Sequence, residues 1–114
     1  MLGKLDKAVI WPGDFGVVMR SLALKLAPGQ DLRLSLETLA AYHGASGYVL
    51  GVVGNLSRAA FQCPGRPEPT VLEGDLEIIT LQGHFSPAGA HLHLSLSDGA
   101  CQVWGGHLEP GTLV

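Results

Sequence analysis

The sequence has little charge, few aromatic residues and only two cysteines. Charged residues make up 15% of the 114 residues, and seven Lys and Arg stand against ten Asp and Glu, for a formal net charge of −3. Proteins that bind nucleic acid usually carry a basic patch, so we do not expect this domain alone to bind DNA. Disorder is not expected either, because the 46% of hydrophobic residues can form a packed core.

Other absences bear on the compartment. No apolar run is long enough to cross a bilayer, and the N-terminal MLGKLDKAVI is too short and too polar for a signal peptide. Cys63 and Cys101 lack CxxC spacing, so we interpret them as a reduced pair rather than a disulfide. These features predict a cytoplasmic protein with no membrane partner. The low charge and the mean hydropathy of +0.28 suggest that apolar surface contacts another subunit.

The chain divides into a short arm and one domain. Turn residues at Trp11-Pro12-Gly13-Asp14 predict an irregular N-terminal arm over residues 1–16, followed by a domain over residues 17–114. A strand is predicted to begin near Val17, because Leu22, Leu24 and Leu26 alternate with Ala23 and Lys25.

One segment has the periodicity of a helix. Gln30 or Asp31 can cap it after the Pro28-Gly29 turn, and Gly44 is a natural C-terminal stop. Arg33 and Glu37 are spaced as an i,i+4 pair of opposite charge. Four apolar residues fall on the opposite face of this helix: Leu32, Leu36, Leu39 and Ala40.

The rest of the chain is predicted to be β-structure. Residues 48–53 form an apolar run, residues 57–62 a short strand, and residues 70–72 and 76–81 two strands joined by a turn at Glu73-Gly74-Asp75. One helix among several antiparallel strands indicates an α+β fold.

The stretch HLHLSLSDGACQVWGGHL, residues 91–108, carries three of the five histidines. Strict alternation places His91, His93 and Ser95 on one face of a strand and the leucines on the other. Because the leucines belong to the core, the histidines point away from it, into solvent, a cleft or a subunit interface.

The side on which His107 lies depends on the hairpin loop. A three-residue loop, Asp98-Gly99-Ala100, pairs His91 with His107, whereas a loop of two or four residues moves His107 to the opposite face unless Gly105-Gly106 forms a bulge. Three imidazoles on one face would suit a divalent metal such as zinc, with a coordination position left open. The alternative is a set of polar residues on an exposed or intersubunit strand face.

Several segments in order resemble a known family, the PPC domain (plants and prokaryotes conserved) of the AT-hook nuclear-localised proteins and their stand-alone prokaryotic relatives. The similar segments are ALKLAPGQDLRLSLETLAAYHG, VLGVVGNLSRAAF, GDLEIITLQGHF and HLHLSLSDGACQVWGGHLEPGTLV, and the resemblance covers residues 17–114. It implies a mostly antiparallel sheet with one main helix packed on it, assembled as a homotrimer. Some prokaryotic relatives contain metal held by histidines of this motif, which makes His91, His93 and His107 the candidate ligands here.

Prokaryotic members of the family that this chain resembles are often described as DNA-binding. That description derives from plant relatives whose AT-hook lies outside the domain. In this chain Pro64-Gly65-Arg66-Pro67 lacks the first arginine and the basic flanks of an AT-hook, so we interpret it as a proline loop. The family usually has a glycine where Cys101 stands.

Two further residues are candidates for a role beside the metal. Glu77 shares strand parity with Ile79 and Leu81, which predicts partial burial, and it could orient a ligand, act as acid or base, or make a structural hydrogen bond. His84 could be a fourth ligand or face solvent.

Two functions remain open. The preferred one is a homotrimeric binding or assembly module with a histidine-lined metal site, acting through a protein partner or a small ligand. The alternative is a metal-dependent enzyme in which a metal-bound water is the nucleophile and Glu77 the general base.

Overall fold

A small antiparallel β-sheet with one helix packed against it forms the fold in this computed structural model, which describes residues 5–10 and 18–114. The one helix of the described residues is α1 (Leu32–His43), and it is not long and apolar enough to cross a membrane. The strands are β1 (Leu5–Ile10), β2 (Val18–Leu22), β3 (Gly47–Tyr48), β4 (Asn55–Gln62), β5 (Thr70–Ser86), β6 (Gly89–Ser97) and β7 (Val103–Leu108). This arrangement confirms the predicted α+β class.

The main sheet closes on itself because β5 is long enough to pair with two strands. Its first half pairs with β4 and its second half with β6, while β7 pairs with both β4 and β6. These four strands therefore form a ring, and β3 adds to the second half of β5. The largest apolar side chains that are at most 1% exposed lie inside this ring: Phe61, Leu92, Leu96 and Leu108.

The length of β5 corrects the sequence analysis, which predicts a turn at residues 73–75. Leu56 pairs with Leu76 but Arg58 pairs with Glu73, so β5 carries one extra residue there. Gly74, with φ +125°, lies in this bulge. Glycine beside acidic residues suits a bulge as well as a turn, and only pairing with β4 distinguishes the two.

The helix matches its prediction. Its four predicted core residues are all buried against the sheet. Asp31 is the N-cap and accepts a hydrogen bond from the Leu34 N–H, and Gly44 ends the helix with φ +61°. Arg33 and Glu37 form the predicted pair, with 3.2 Å between Nε and Oε2.

The N-terminal prediction needs a correction. Leu5–Ile10 forms a strand that pairs antiparallel with β2, where the sequence indicates an irregular arm. The turn predicted at residues 11–14 lies outside the described residues. β2 ends at Leu22, although Leu24 and Leu26 continue the alternation and pack partly against the core.

The apolar run at residues 48–53 is also not a strand beyond Tyr48. Leu50 is 81% exposed and Val53 is 95% exposed. These two side chains do not pack in the core of this chain. The apolar content of the run therefore led to a predicted strand that the structure does not contain. Cys63 and Cys101 are both free, as predicted.

Candidate functional site: a histidine face on the sheet

Strand β6 presents two histidines on the outer side of the ring. Leu92, Leu94 and Leu96 are buried, and His91 and His93 are exposed between them. The period of two that the sequence predicts is therefore confirmed, because each residue of an extended strand points to the face opposite its neighbours.

The hairpin brings His107 to the same face by a register that none of the loop lengths in the sequence analysis gives. Ser97 pairs with Val103, so the loop has five residues, and His107 pairs with His93 rather than with His91. A loop of five residues, like one of three, leaves His107 on the same face as His91 and His93. Only its partner on β6 changes, from His91 to His93.

Asp98 explains the longer loop. Its carboxylate accepts hydrogen bonds from the Ala100 N–H at 2.9 Å, the Gln102 N–H at 2.9 Å and the Trp104 indole N–H at 3.0 Å. The indole hydrogen bond, followed by that from Gln102, lowers the pKa of Asp98. Cys101 adopts φ +62°, a conformation in which glycine has no steric cost.

Four imidazoles lie together, and we call His84, His91, His93 and His107 the histidine face. The ring centres of His91 and His107 are 4.8 Å apart, those of His91 and His93 are 5.3 Å apart, and those of His93 and His107 are 6.2 Å apart. His84 joins from β5, where it pairs with His91 at 6.0 Å between ring centres.

Glu77 is not part of this face. It is exposed and pairs with Asn55 and Ser97; Ser97 is four residues, or about 13 Å, along β6 from His93. The predicted partial burial is wrong because a second irregularity lies between Ile78 and Thr80. That bulge resets the parity, and Glu77 and Leu81 therefore face opposite sides.

Two charged residues beside the face were missed by the sequence analysis. Glu109 Oε1 lies 3.6 Å from His107 Nδ1, and Glu109 Oε2 lies 3.0 Å from Arg33 Nη1. The spacing His107-Leu108-Glu109 puts both polar side chains on one side of a buried leucine and is the signal that could have found Glu109. Nothing in the local sequence indicates the contact with Arg33, which is 76 residues away.

The clustering affects protonation. Desolvation within the cluster is the largest cause that lowers the pKa of His91, and the positive charges of His107, His93, His84 and Arg33 add to it. A neutral imidazole is the form that can bind a metal. The lowered pKa therefore favours the neutral form of His91, which is the form that can bind a metal.

This bias gives a pH prediction. Since the folded-state pKa of His91 lies below the unfolded value of about 6.5, folding stability from this group is full above that pH and decreases as the pH falls towards the folded pKa. NMR titration of metal-free protein should give a His91 midpoint below 6.5, and His107→Gln should move it upward. A midpoint unaffected by His107→Gln would show that charge from that ring plays no part.

The donor types and their spacing fit a divalent metal. Two imidazoles on one tetrahedral zinc ion place their ring centres about 5 Å apart, close to the distances from His91 to His93 and to His107. In the present side-chain orientations, no group of three or more His, Cys, Asp or Glu within residues 5–10 and 18–114 is arranged to hold an ion. Exposed imidazoles can rotate about χ1 and χ2, so binding would require ring reorientation rather than backbone movement.

A groove of about 450 Å³ opens beside two of the histidines. His93 and His107 form one side of it, and Gln62, Cys63 and Pro64 form the other. A ligand in this groove would reach an ion held on the face.

Fold and site together define a class: a ring of antiparallel strands with one packed helix and a histidine face on the outer surface. Residues 13–114 match the Plants and Prokaryotes Conserved (PCC) domain. The chain belongs to this family, which is the one that the sequence resemblance indicates.

Similar proteins include longer chains. The sequence is 42% identical over 97 residues to the bifunctional protein GlmU of Synechococcus sp. (strain JA-3-3Ab), covering 84% of this chain and 16% of that protein. The chain thus spans about one sixth of the length of the curated relatives it matches. A solved hypothetical protein from Salmonella enterica is 34% identical with a TM-score of 0.76, over 80% of this chain and 67% of that one.

Two more distant structures show the same fold. A protein from Bacteroides thetaiotaomicron, named as a DNA-binding candidate, has a TM-score of 0.68 at 16% identity, over 99% of this chain and 76% of that one. A metal-containing protein from Archaeoglobus fulgidus has a TM-score of 0.59 at 23% identity, over 98% and 75% of the two chains.

Proposed function

We propose that this chain is a homotrimeric binding and assembly module of the PCC family whose histidine face holds a divalent metal ion, most simply zinc. The observation that carries the proposal is the placement of His91, His93 and His107 on one face of two paired strands, with ring centres 4.8 to 6.2 Å apart. Three neutral imidazoles leave one coordination position open. The metal-containing relative from Archaeoglobus fulgidus supports the same idea.

Assembly is supported by the apolar surface. Leu50, Val53 and Val103 are 81%, 95% and 67% exposed, in a chain with only 15% charged residues. Large exposed apolar side chains are candidates for a surface that another chain covers. A second or third copy of this chain is the partner that the family resemblance implies.

A module is favoured over the enzyme alternative for two reasons. The general base that the sequence analysis assigned to the enzyme, Glu77, lies too far along β5 to serve, and the carboxylate beside the face, that of Glu109, is already paired with Arg33 at 3.0 Å. In Synechococcus, a similar segment is about one sixth of a longer bifunctional protein, which is the arrangement expected of an accessory module. Its partner or small ligand would approach through the groove beside His93.

Binding of DNA by this domain alone is not part of the proposal, although a distant structure carries that name. The net charge of −3 gives little counterion release on a phosphate backbone. Arg66 lies in the connection between β4 and β5, between Gly65 and Pro67, with no basic residue beside it. We propose a protein or small-molecule partner instead.

The test is metal content after zinc reconstitution and dialysis. Wild-type protein should retain zinc stoichiometrically, His91→Ala/His93→Ala should lose it, and His43→Ala should behave as wild type because His43 lies at the end of α1. Equal retention by the double variant would contradict the ligand assignment. Wild-type protein without zinc would contradict the metal site itself.

The same samples test assembly. Light scattering should give three times the chain mass of 11.9 kDa for the wild type and for His43→Ala. A monomer in both would contradict the trimer, whatever the metal content shows.

A further inference from the structure

Glu109 connects the histidine face to helix α1. One carboxylate oxygen lies 3.6 Å from Nδ1 of His107, and the other is 3.0 Å from Nη1 of Arg33. Among the described residues, His107 is the histidine with a carboxylate in ion-pair range. The contact involves one specific ring nitrogen, which makes it relevant to the chemistry of that ring.

The carboxylate of Glu109 is held in place from several directions. The Glu109 N–H donates to the Ala60 carbonyl at 2.9 Å, which fixes the backbone. Arg33 Nη1 also donates to the Leu108 carbonyl at 2.9 Å, and Arg33 Nε donates to Glu37 Oε2 at 3.2 Å. The side chains of Arg33 and Glu109 are only 18% and 27% exposed. Arg33 therefore donates to two acceptors besides Glu109 and presents a fixed charge to that carboxylate.

We propose that Glu109 is a positioning residue that selects the tautomer of His107. The Nδ1–H donates to Glu109 Oε1, which leaves Nε2 as the lone-pair donor for the metal; this inference rests on the proposed metal site. A histidine ligand commonly donates its second N–H to a carboxylate, which sets both the tautomer and the ring orientation. At 3.6 Å the two atoms lie just outside hydrogen-bond range, so the proposed hydrogen bond requires the two side chains to move slightly closer together.

The role of Arg33 follows from the same geometry. Because Glu109 Oε2 is occupied by Arg33, only Oε1 is free to accept from His107. A glutamine at position 109 has a single carbonyl oxygen and cannot serve both partners. Arg33 takes that oxygen by charge, and the amide group then faces His107 Nδ1, which favours the other tautomer.

The experiment compares Glu109→Gln with Glu37→Gln, a matched change on another carboxylate that contacts Arg33. Long-range ¹H–¹⁵N NMR of metal-free protein reads the tautomer of His107, and chelator competition reads the zinc affinity. Wild type and Glu37→Gln should show the Nδ1–H form, and Glu109→Gln should lose it. Zinc affinity should fall about 10-fold or more in Glu109→Gln and much less in Glu37→Gln.

The two readouts separate the possible failures. An unchanged tautomer in Glu109→Gln, or an equal loss of zinc affinity in both variants, would overturn the positioning role. A tautomer change in a protein that binds no zinc would preserve the positioning of His107 by Glu109 and contradict the proposed metal site.

Discussion

Replacing Gly83 with alanine is expected to destabilise the fold by about 4 kcal/mol, from a steric clash and backbone strain of about 2 kcal/mol each. A Cβ at this position would overlap the His91 carbonyl oxygen and come within 3.0 Å of the Leu92 Cα. Both atoms belong to the backbone of β6 and cannot move aside without breaking the pairing of β5 with β6. The φ of +132° adds strain that a side chain makes worse.

Urea unfolding measures this change, and Gly99→Ala is the matched control. Gly99 lies at the tip of the next hairpin, and a Cβ there meets nothing within 4 Å, so its stability should change by less than about 1 kcal/mol. Because Gly83 pairs with Leu92 between His91 and His93, zinc retention should fall with stability in Gly83→Ala. Similar midpoints for the two variants would show that β5 and β6 separate here at little cost.

The parts of the fold that sequence predicts well depend on local patterns. The helix follows from a period of 3.6 residues with a cap at Asp31 and a stop at Gly44, all within a short segment. The alternation of His91 and His93 with leucines is likewise local, and it determines which side chains leave the core. Local periodicity decides both because neither depends on which strand lies beside it.

What sequence predicts poorly depends on pairing. The turn predicted at Gly74 is a bulge, and Glu77 faces outward because of a second bulge that only β6 reveals. The hairpin loop has five residues, longer than any of the lengths that the sequence leaves open, because Asp98 accepts three hydrogen bonds across it. Glu109 is held beside the histidine face by Arg33, and the position of Arg33 depends on how α1 packs. Such features need long-range contacts, and a single sequence records these only weakly.

Asp31 shows how a short motif can carry such a long-range contact. Its Oδ1 accepts from the Leu34 N–H at 2.9 Å and caps α1, and its Oδ2 accepts from the Gly111 N–H at 2.7 Å. The C-terminal residues are held around the same point, since Leu32 N–H donates to the Thr112 carbonyl at 2.8 Å. One carboxylate thus joins the start of the helix to the segment that follows β7.

Replacing Asp31 with alanine should therefore cost about 3 kcal/mol, with about 1 kcal/mol from the lost cap and about 2 kcal/mol from the charge-assisted hydrogen bond to Gly111. Asp31→Asn keeps one carbonyl oxygen and should retain the cap while losing most of the second contribution. Urea unfolding orders the variants, with exposed Glu68→Gln as the charge control that changes stability by less than about 0.5 kcal/mol. Equal stabilities for Asp31→Ala and Asp31→Asn would mean that the cap contributes nothing and that Gly111 is the only partner that matters. Because Arg33 lies two residues after this cap, in the first turn of α1, Asp31→Ala should also weaken the contact of Arg33 with Glu109. The tautomer of His107 provides an independent measurement of that loss.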